Sequence, residues 1–253
     1  MELHTRSTGS GPPLVLLHGL FGSQENLGSL ARGLMQHYTI YAMDLRNHGR
    51  SGHAESMTLA ELAQDVADTL QVHNLEQTAI IGHSLGGKVA MELALATNAV
   101  ERIAVLDIAP VRYPRGHNRE LDALLALDPG QLASRSAADR ALAAHIPEPG
   151  IRQFLLKNLV RDGAGFAWRI PLATIATEYD KLLMANTAAS FGGPALFLRG
   201  GASDYVRDEH EPPIRDRFPN ARLETVPAAA HWLHVEQPEA VVHHIKSWLV
   251  RAA

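Results

Sequence analysis

A mainly parallel β-sheet flanked by helices, with a helical insert between two core strands, is the fold class that the sequence predicts. Three observations carry this α/β assignment. Short apolar runs alternate with stretches of helical period along most of the 253 residues, the pattern of strands joined by crossover helices. One strand passes into its helix with no linker, around residues 82–86. The alternation stops over residues 111–190, where the apolar spacing is helical only.

Residues 14–17 (LVLL) form the first expected strand and residues 39–43 (TIYAM) the second, which ends at Asp44. A helix starts after Thr58, which makes a capping box with Glu61, and Leu59, Leu62, Ala63, Val66 and Leu70 fall on one face of it. Residues 78–81 (TAII) predict a third strand, stopped by Gly82, and residues 85–96 the helix directly behind it. A strand at 103–106 (IAVL) ends at Asp107. Strands at 195–198 and 223–226 and a last helix from Pro238 to about Val250 complete the core. In the interruption the helical spacing runs through Leu121, Leu124 and Leu125, then Ile151, Phe154, Leu155 and Leu159, then Ile175, Tyr179, Leu182 and Leu183, and no strand is expected. The division is therefore a core of residues 1–110 and 191–253 with a helical lid, 111–190, over the carboxyl edge of the sheet, where open α/β sheets bind ligands.

Composition narrows the chemistry. With 46% hydrophobic and 20% charged residues the chain is of ordinary globular make-up. A formal charge of −4 offers no field for a nucleic-acid backbone, so no nucleic-acid partner is expected. The absence of cysteine removes disulfides, thiolate metal sites and thiol nucleophiles, leaving hydroxyl, imidazole and carboxylate chemistry with no metal or cofactor expected. The first residues hold no apolar core of signal-peptide length, and no run approaches the roughly 18 apolar residues of a membrane span, so a cytoplasmic protein is expected.

The chemistry centres on Gly82-His83-Ser84-Leu85-Gly86, a G-x-S-x-G between a strand and a helix. Such a turn strains the serine backbone and turns its hydroxyl into the cleft, while small residues two before and two after leave room for neighbouring main chain. A serine hydroxyl needs a base. Of 14 histidines, His231 follows the last strand in the small-residue loop 228–231, which puts it at the carboxyl edge of the sheet. His18 and His83 are expected to hold loop backbone, His234 to be a loop neighbour, and His243 and His244 to lie on the final helix. Two aspartates at strand ends, Asp107 and Asp204, could orient the imidazole. Asp44 is expected to tie down the loop 46–49 instead. The backbone N–H groups of Leu85 and Leu20 are the expected oxyanion donors.

These motifs resemble the α/β-hydrolases, and more narrowly the YbfF-type bacterial esterases and their mitochondrial relatives of the abhydrolase 11 group. The similarity spans nearly the whole chain through HGLFGS (18–23), DLRNHGRS (44–51), GHSLGGK (82–88), LDIAPV (106–111), RQFLLKNLV (152–160), LFLRGGASDYV (196–206) and HWLHVEQPEAV (231–241). The resemblance implies a carboxylesterase acting on short acyl esters or on thioesters such as acyl-CoA, with a small cap. It favours Asp107 as the acid, whereas the wider superfamily places its acid at the position of Asp204; Asp180 is a distant third.

Phe154, Leu155 and Trp232 are expected to line the acyl site and to limit chain length. Arginine outnumbers lysine 19 to 4, and Arg112, Arg115, Arg119 and Arg152, in or beside the lid, could dock an anionic leaving group such as CoA or merely form a solvated helix face. The same residues would also serve a cofactor-free perhydrolase or a carbon–carbon bond hydrolase, and a binding protein on a hydrolase scaffold is the reading from another class.

Overall fold

The computed structural model describes residues 1–163 and 165–251. A seven-stranded sheet runs in the order β1 (Thr5–Gly9), β3 (Thr39–Met43), β2 (Pro13–Leu17), β4 (Thr78–His83), β5 (Val100–Leu106), β8 (Ala195–Gly200) and β9 (Ala221–Val226). Only β1 is antiparallel. It is an edge strand that the apolar pattern misses, because TRSTG is polar and mostly exposed.

Alternation along the strands builds two apolar layers. Leu14, Leu16, Ala104, Leu106, Leu196 and Leu198 face α1 (Gly28–Leu34) and α10 (Pro238–Arg251), packing with Leu30, Leu34, Ile245 and Trp248. Val15, Leu17, Ile80, Ile103, Val105 and Phe197 face the other way, onto Leu62 and Val66 of α2 (Leu59–Val72) and Val89 and Leu93 of α3 (Leu85–Ala96). Thr58 caps α2 by accepting from the Glu61 N–H, while the Glu61 carboxylate accepts from the Thr58 N–H at 2.8 Å. No helix among the described residues is long and apolar enough to cross a membrane.

Strand register decides which loops meet. Leu17 pairs with Gly82, His83 with Leu106, Leu106 with Leu198, and Gly200 with Val226. The carboxyl ends of five adjacent parallel strands are thus level, and the segments after them share one edge.

Between β5 and β8 lie α4 (Asn118–Ala126), α5 (Arg135–Ala143), α6 (Pro149–Leu155) and α7 (Leu172–Leu182). The insert is not wholly helical, contrary to the sequence expectation: β6 (Leu159–Asp162) and β7 (Gly165–Trp168) form an antiparallel hairpin. Leu159 thus belongs to a strand, because the helical run ends in a short 3-10 turn at Leu156–Asn158 and the chain reverses just after Asp162, with Gly163 at φ +55°. Leu121, Leu142, Leu155, Phe166 and Ile175 of the insert join the apolar layer that holds α2 and α3. Buried Lys88 of α3 clips the two ends of the insert by donating to the Val111 carbonyl at 2.5 Å and to the Met184 carbonyl at 2.7 Å. Burial pushes its ammonium group down to about 7.

Candidate active site

Ser84 stands between β4 and α3 with φ +52° and ψ −116°, a backbone conformation that costs a non-glycine residue free energy and is kept only where surrounding packing enforces it. The packing is visible at the flanking glycines. A side chain on Gly82 would run into the Gly86 carbonyl, and one on Gly86 into the carbonyl of Leu17. Asp107, at the end of β5, also has a positive φ of +54°. Its main chain is fixed by donation to the Leu198 carbonyl at 2.9 Å.

The two turns bring together residues far apart in the chain. His231 Nε2 lies 3.1 Å from Ser84 Oγ, and His231 Nδ1 lies 2.8 Å from Asp107 Oδ2. Asp107 is fully buried, and its carboxylate has further partners: Oδ1 accepts from the Gly200 N–H at 3.0 Å, and Oδ2 accepts from the Ser203 hydroxyl. A carboxylate held by main-chain and hydroxyl donors is fixed in place. Asp204 stands elsewhere. Its side chain is 95% exposed and lies 3.8 Å from Arg207, because the main chain turns at 203–205 so that Ser203 faces Asp107 and the next side chain points to solvent. Asp180 is likewise exposed and pairs with Arg115 at 3.3 Å.

The loop after β2 approaches the turn at Ser84 closely: a side chain on Gly19 would lie 3.3 Å from Ser84 Cβ. Phe21, with φ +59°, donates its N–H to His48 Nε2 at 3.1 Å, and its carbonyl accepts from Asn158 Nδ2 of the insert at 2.8 Å. Both contacts pin the main chain next to Leu20. Leu85 is the first residue of α3, where an N–H has no intrahelical partner and favours negative charge.

Buried histidines frame this edge. His18 donates from Nδ1 to the Gly19 carbonyl and accepts at Nε2 from the Leu45 N–H at 3.0 Å. His48 donates from Nδ1 to the Arg46 carbonyl at 2.9 Å, and His83 donates from Nε2 to the His231 carbonyl at 2.8 Å. Asp44 accepts from the N–H groups of Gln24 and Arg50. Burial lowers these three imidazoles and that of buried His234: His48 to about 3, His234 to about 4, His18 below its ordinary value and His83 well below it. Each stays neutral in the folded protein, whereas the unfolded chain protonates near 6.5. Below that pH the unfolded state binds more protons, so stability is full above about pH 6.5 and declines as pH falls toward 4. The melting temperature at pH 5 is expected to lie roughly 5 °C or more below that at pH 7.5. An unchanged value would show that these imidazoles are not held neutral.

Ser84, Leu20 and His117 line two cavities that meet at the serine. The larger, about 580 Å³, is walled by Leu85, Ile108, Tyr113, Tyr179, Leu182 and Lys88, with Arg112, Asp204 and Arg207 also in its lining. The smaller, about 370 Å³, contains His231 together with Ile151, Phe154, Leu155 and Trp232. The Phe154 and Trp232 rings lie 5.2 Å apart; Leu155 is buried and packs into the apolar core of the insert as well. The arginines considered as a phosphate dock are mostly engaged. Arg152 donates to Asp139 and to the Ile146 and Pro147 carbonyls, Arg115 to Asn118 and Asp180, and Arg119 to Glu120 and Glu148. Two neighbours went unforeseen in the sequence: Ser203, whose hydroxyl shares Asp107 Oδ2 with His231, and Tyr205, stacked on the His231 ring.

A hydroxyl on a strained strand-to-helix turn, an imidazole behind it and a buried carboxylate behind that define a class of hydrolase in which the hydroxyl can be deprotonated for attack on a carbonyl. The comparisons agree. The pattern of the alpha/beta hydrolase family matches residues 14–244. The chain is 38% identical to Esterase YbfF of Escherichia coli (strain K12) over 239 residues, covering 94% of this chain and 92% of that one. It is 40% identical over 248 residues to the sn-1-specific diacylglycerol lipase ABHD11 of Mus musculus, covering 94% and 81%. A solved structure described as a marine microorganism esterase superposes with a TM-score of 0.95 at 37% identity, covering 98% of this chain and 99% of that one. The chain belongs to the alpha/beta hydrolase family, and it is a carboxylic ester hydrolase.

Proposed function

We infer that the protein hydrolyses small, short-chain acyl esters through Ser84, His231 and Asp107 by way of an acyl-enzyme. The observation that carries this is the continuous line from Ser84 Oγ through His231 to Asp107 Oδ2, at 3.1 and 2.8 Å, located where two cavities meet. Ser84 Oγ adds to the ester carbonyl carbon as its proton passes to His231 Nε2. The buried Asp107 carboxylate holds the imidazole in the tautomer that leaves Nε2 free, then stabilises the imidazolium. The negative charge on the carbonyl oxygen falls to the Leu20 and Leu85 N–H groups. Collapse breaks the bond to the alcohol, which takes the proton from Nε2, and a water molecule repeats the sequence on the acyl-enzyme.

The imidazole must hand its proton to the departing alcohol, so the leaving group belongs on the side of His231. The 370 Å³ cavity contains His231 and thus takes the alcohol, and the 580 Å³ cavity takes the acyl group. Walls from the insert, Tyr113, Tyr179 and Leu182, close over that cavity and limit how long an acyl chain can enter, which supports short acyl groups. The insert, 111–190, acts as the lid, since it supplies walls to both cavities. Esters are favoured over acyl-CoA because the insert's arginines are largely paired. An acyl-length series of p-nitrophenyl esters beside the matching acyl-CoA thioesters tests the assignment: kcat/KM should be highest for short acyl esters, and a maximum at long chains or on the thioesters would contradict it.

Phe154→Ala enlarges the cavity on the His231 side. With alkyl butyrates of increasing alcohol length, kcat/KM should improve by up to about fourfold per added methylene that the space admits, from roughly 0.8 kcal/mol each. The acyl-length profile should stay unchanged. A shift in the acyl profile instead would exchange the roles of the two cavities, and a fall in Tm with neither profile altered would leave Phe154 as packing only.

A further inference from the structure

The loop that presents His231 is made of Ala228, Ala229 and Ala230, side chains too small to steer an imidazole. Asp107 and Ser84 hold its two nitrogens, but bonds at those two points leave the ring free to tilt about the line that joins them. One flat surface closes that freedom. The phenol ring of Tyr205 lies against His231 with centroids 3.7 Å apart and planes within 15°, whereas the His83 ring nearby is tilted by 44° at 4.8 Å. Aromatic faces in parallel contact resist tilting because any rotation loses contact across the whole face.

Tyr205 is itself anchored from the insert. Its carbonyl accepts from the Tyr113 hydroxyl at 2.7 Å, and that same hydroxyl accepts from the Ala109 N–H at 2.9 Å. The Tyr205 hydroxyl lies 3.2 Å from His117 Nε2. His117 in turn donates its N–H to the Tyr179 hydroxyl at 3.0 Å. On the core side, the Tyr205 N–H donates to Ser203 Oγ, the hydroxyl that also bonds Asp107. The stacked ring is therefore tied both to the acid and to the insert.

We propose that Tyr205 is a positioning residue for His231, its stacked face fixing the plane of the imidazole and its bonds to Tyr113 and His117 making that plane depend on a docked insert. This rests on the catalytic role proposed above for His231, and it adds a residue that acts through the imidazole while its ring also lines the 580 Å³ cavity. A ring plane displaced by tens of degrees moves Nε2 off the line to Ser84 Oγ, and losses of one to two orders of magnitude follow from misplacements of about 1 Å.

The test uses the full chain with Tyr205→Leu, which keeps an apolar contact and removes the flat face, and Tyr205→Phe, which keeps the face. Two readouts are taken: kcat and KM on a short p-nitrophenyl ester, and the low-field proton NMR signal of the His231 Nδ1–H facing Asp107. Tyr205→Leu should lower kcat roughly 10- to 100-fold, with KM within about threefold, and should lose the protected Nδ1–H signal to solvent exchange. Tyr205→Phe should keep the signal and hold kcat within about threefold of wild type. Should the leucine variant fold poorly, Tyr205→Met serves in its place. The proposal is overturned if the leucine or methionine variant keeps both kcat and the signal, or if phenylalanine is as damaging as leucine. Lack of ester turnover in the wild type would count against the proposed function, while the Nδ1–H signal would still decide the role of Tyr205.

Discussion

Asp107→Asn is expected to cut kcat by roughly three to four orders of magnitude, while Asp204→Asn leaves it within about twofold of wild type. An amide at position 107 presents an N–H where His231 Nδ1 needs an acceptor, or it flips and upsets the donors from Gly200 and Ser203. The flipped amide sets its N–H against the Gly200 N–H, so the first orientation prevails, and there the imidazole takes the tautomer whose Nε2 already carries a proton and cannot accept another from Ser84. The site at Asp107 is buried, so no water replaces the lost carboxylate. Asp204 is 95% exposed and its nearest charge is Arg207, so its neutralisation changes only a solvated pair, which contributes little. Steady-state kinetics on one short ester, with circular dichroism to show that both variants are folded, decide the matter. A larger loss at Asp204 would move the acid to the position usual in the wider superfamily.

Ser84→Ala is expected to reduce ester hydrolysis by about five to six orders of magnitude, to the background left by the remaining donors and the binding cavities. The fold should survive. Among the described residues the serine hydroxyl bonds only His231, the elbow's geometry depends on Gly82 and Gly86 rather than on Oγ, and alanine is no larger than serine. The positive φ stays strained with either residue, so Tm should move by only a few degrees. Residual turnover above about one hundredth of wild type, in a preparation free of host esterase, would mean that another nucleophile does the work.

Much of this arrangement was legible before any coordinates. Unbroken apolar runs such as LVLL and IAVL mark strands buried on both faces beneath crossover helices. The spacing Gly82–Ser84–Gly86 signals a turn whose two glycines are required by carbonyls that approach from Leu17 and Gly86 itself. What the chain hid was either polar or long-range. Strand β1 is polar because an edge strand has one solvated side, and the hairpin β6–β7 is masked by Leu155, Leu156 and Leu159, whose spacing continues a helix that in fact stops. Asp162-Gly163, flanked by LVRD and GFAW, was the turn signal available there.

The choice between Asp107 and Asp204 could not be made from spacing, since both follow core strands. It turns on the conformation of residues 203–205, where the Ser203 hydroxyl faces Asp107 and the Asp204 carboxylate points to solvent. Tyr205 and Ser203 escaped notice for the same reason: nothing local distinguishes them, and their partners Asp107, Tyr113 and His117 lie about 90 residues earlier. By composition the arginines of the insert could be an anion dock or a solvated helix face, and the acidic partners that occupy Arg115, Arg119 and Arg152 become apparent only when the helices are packed.

The most direct measurement is covalent capture of the nucleophile. Incubation with a fluorophosphonate, followed by intact mass and peptide mapping, should give one adduct per chain on Ser84, formed in step with the loss of ester hydrolysis and absent from Ser84→Ala. Full hydrolysis persisting in protein labelled on Ser84, or an adduct on any other residue that accounts for the loss, would contradict an enzyme built on the Ser84, His231 and Asp107 line.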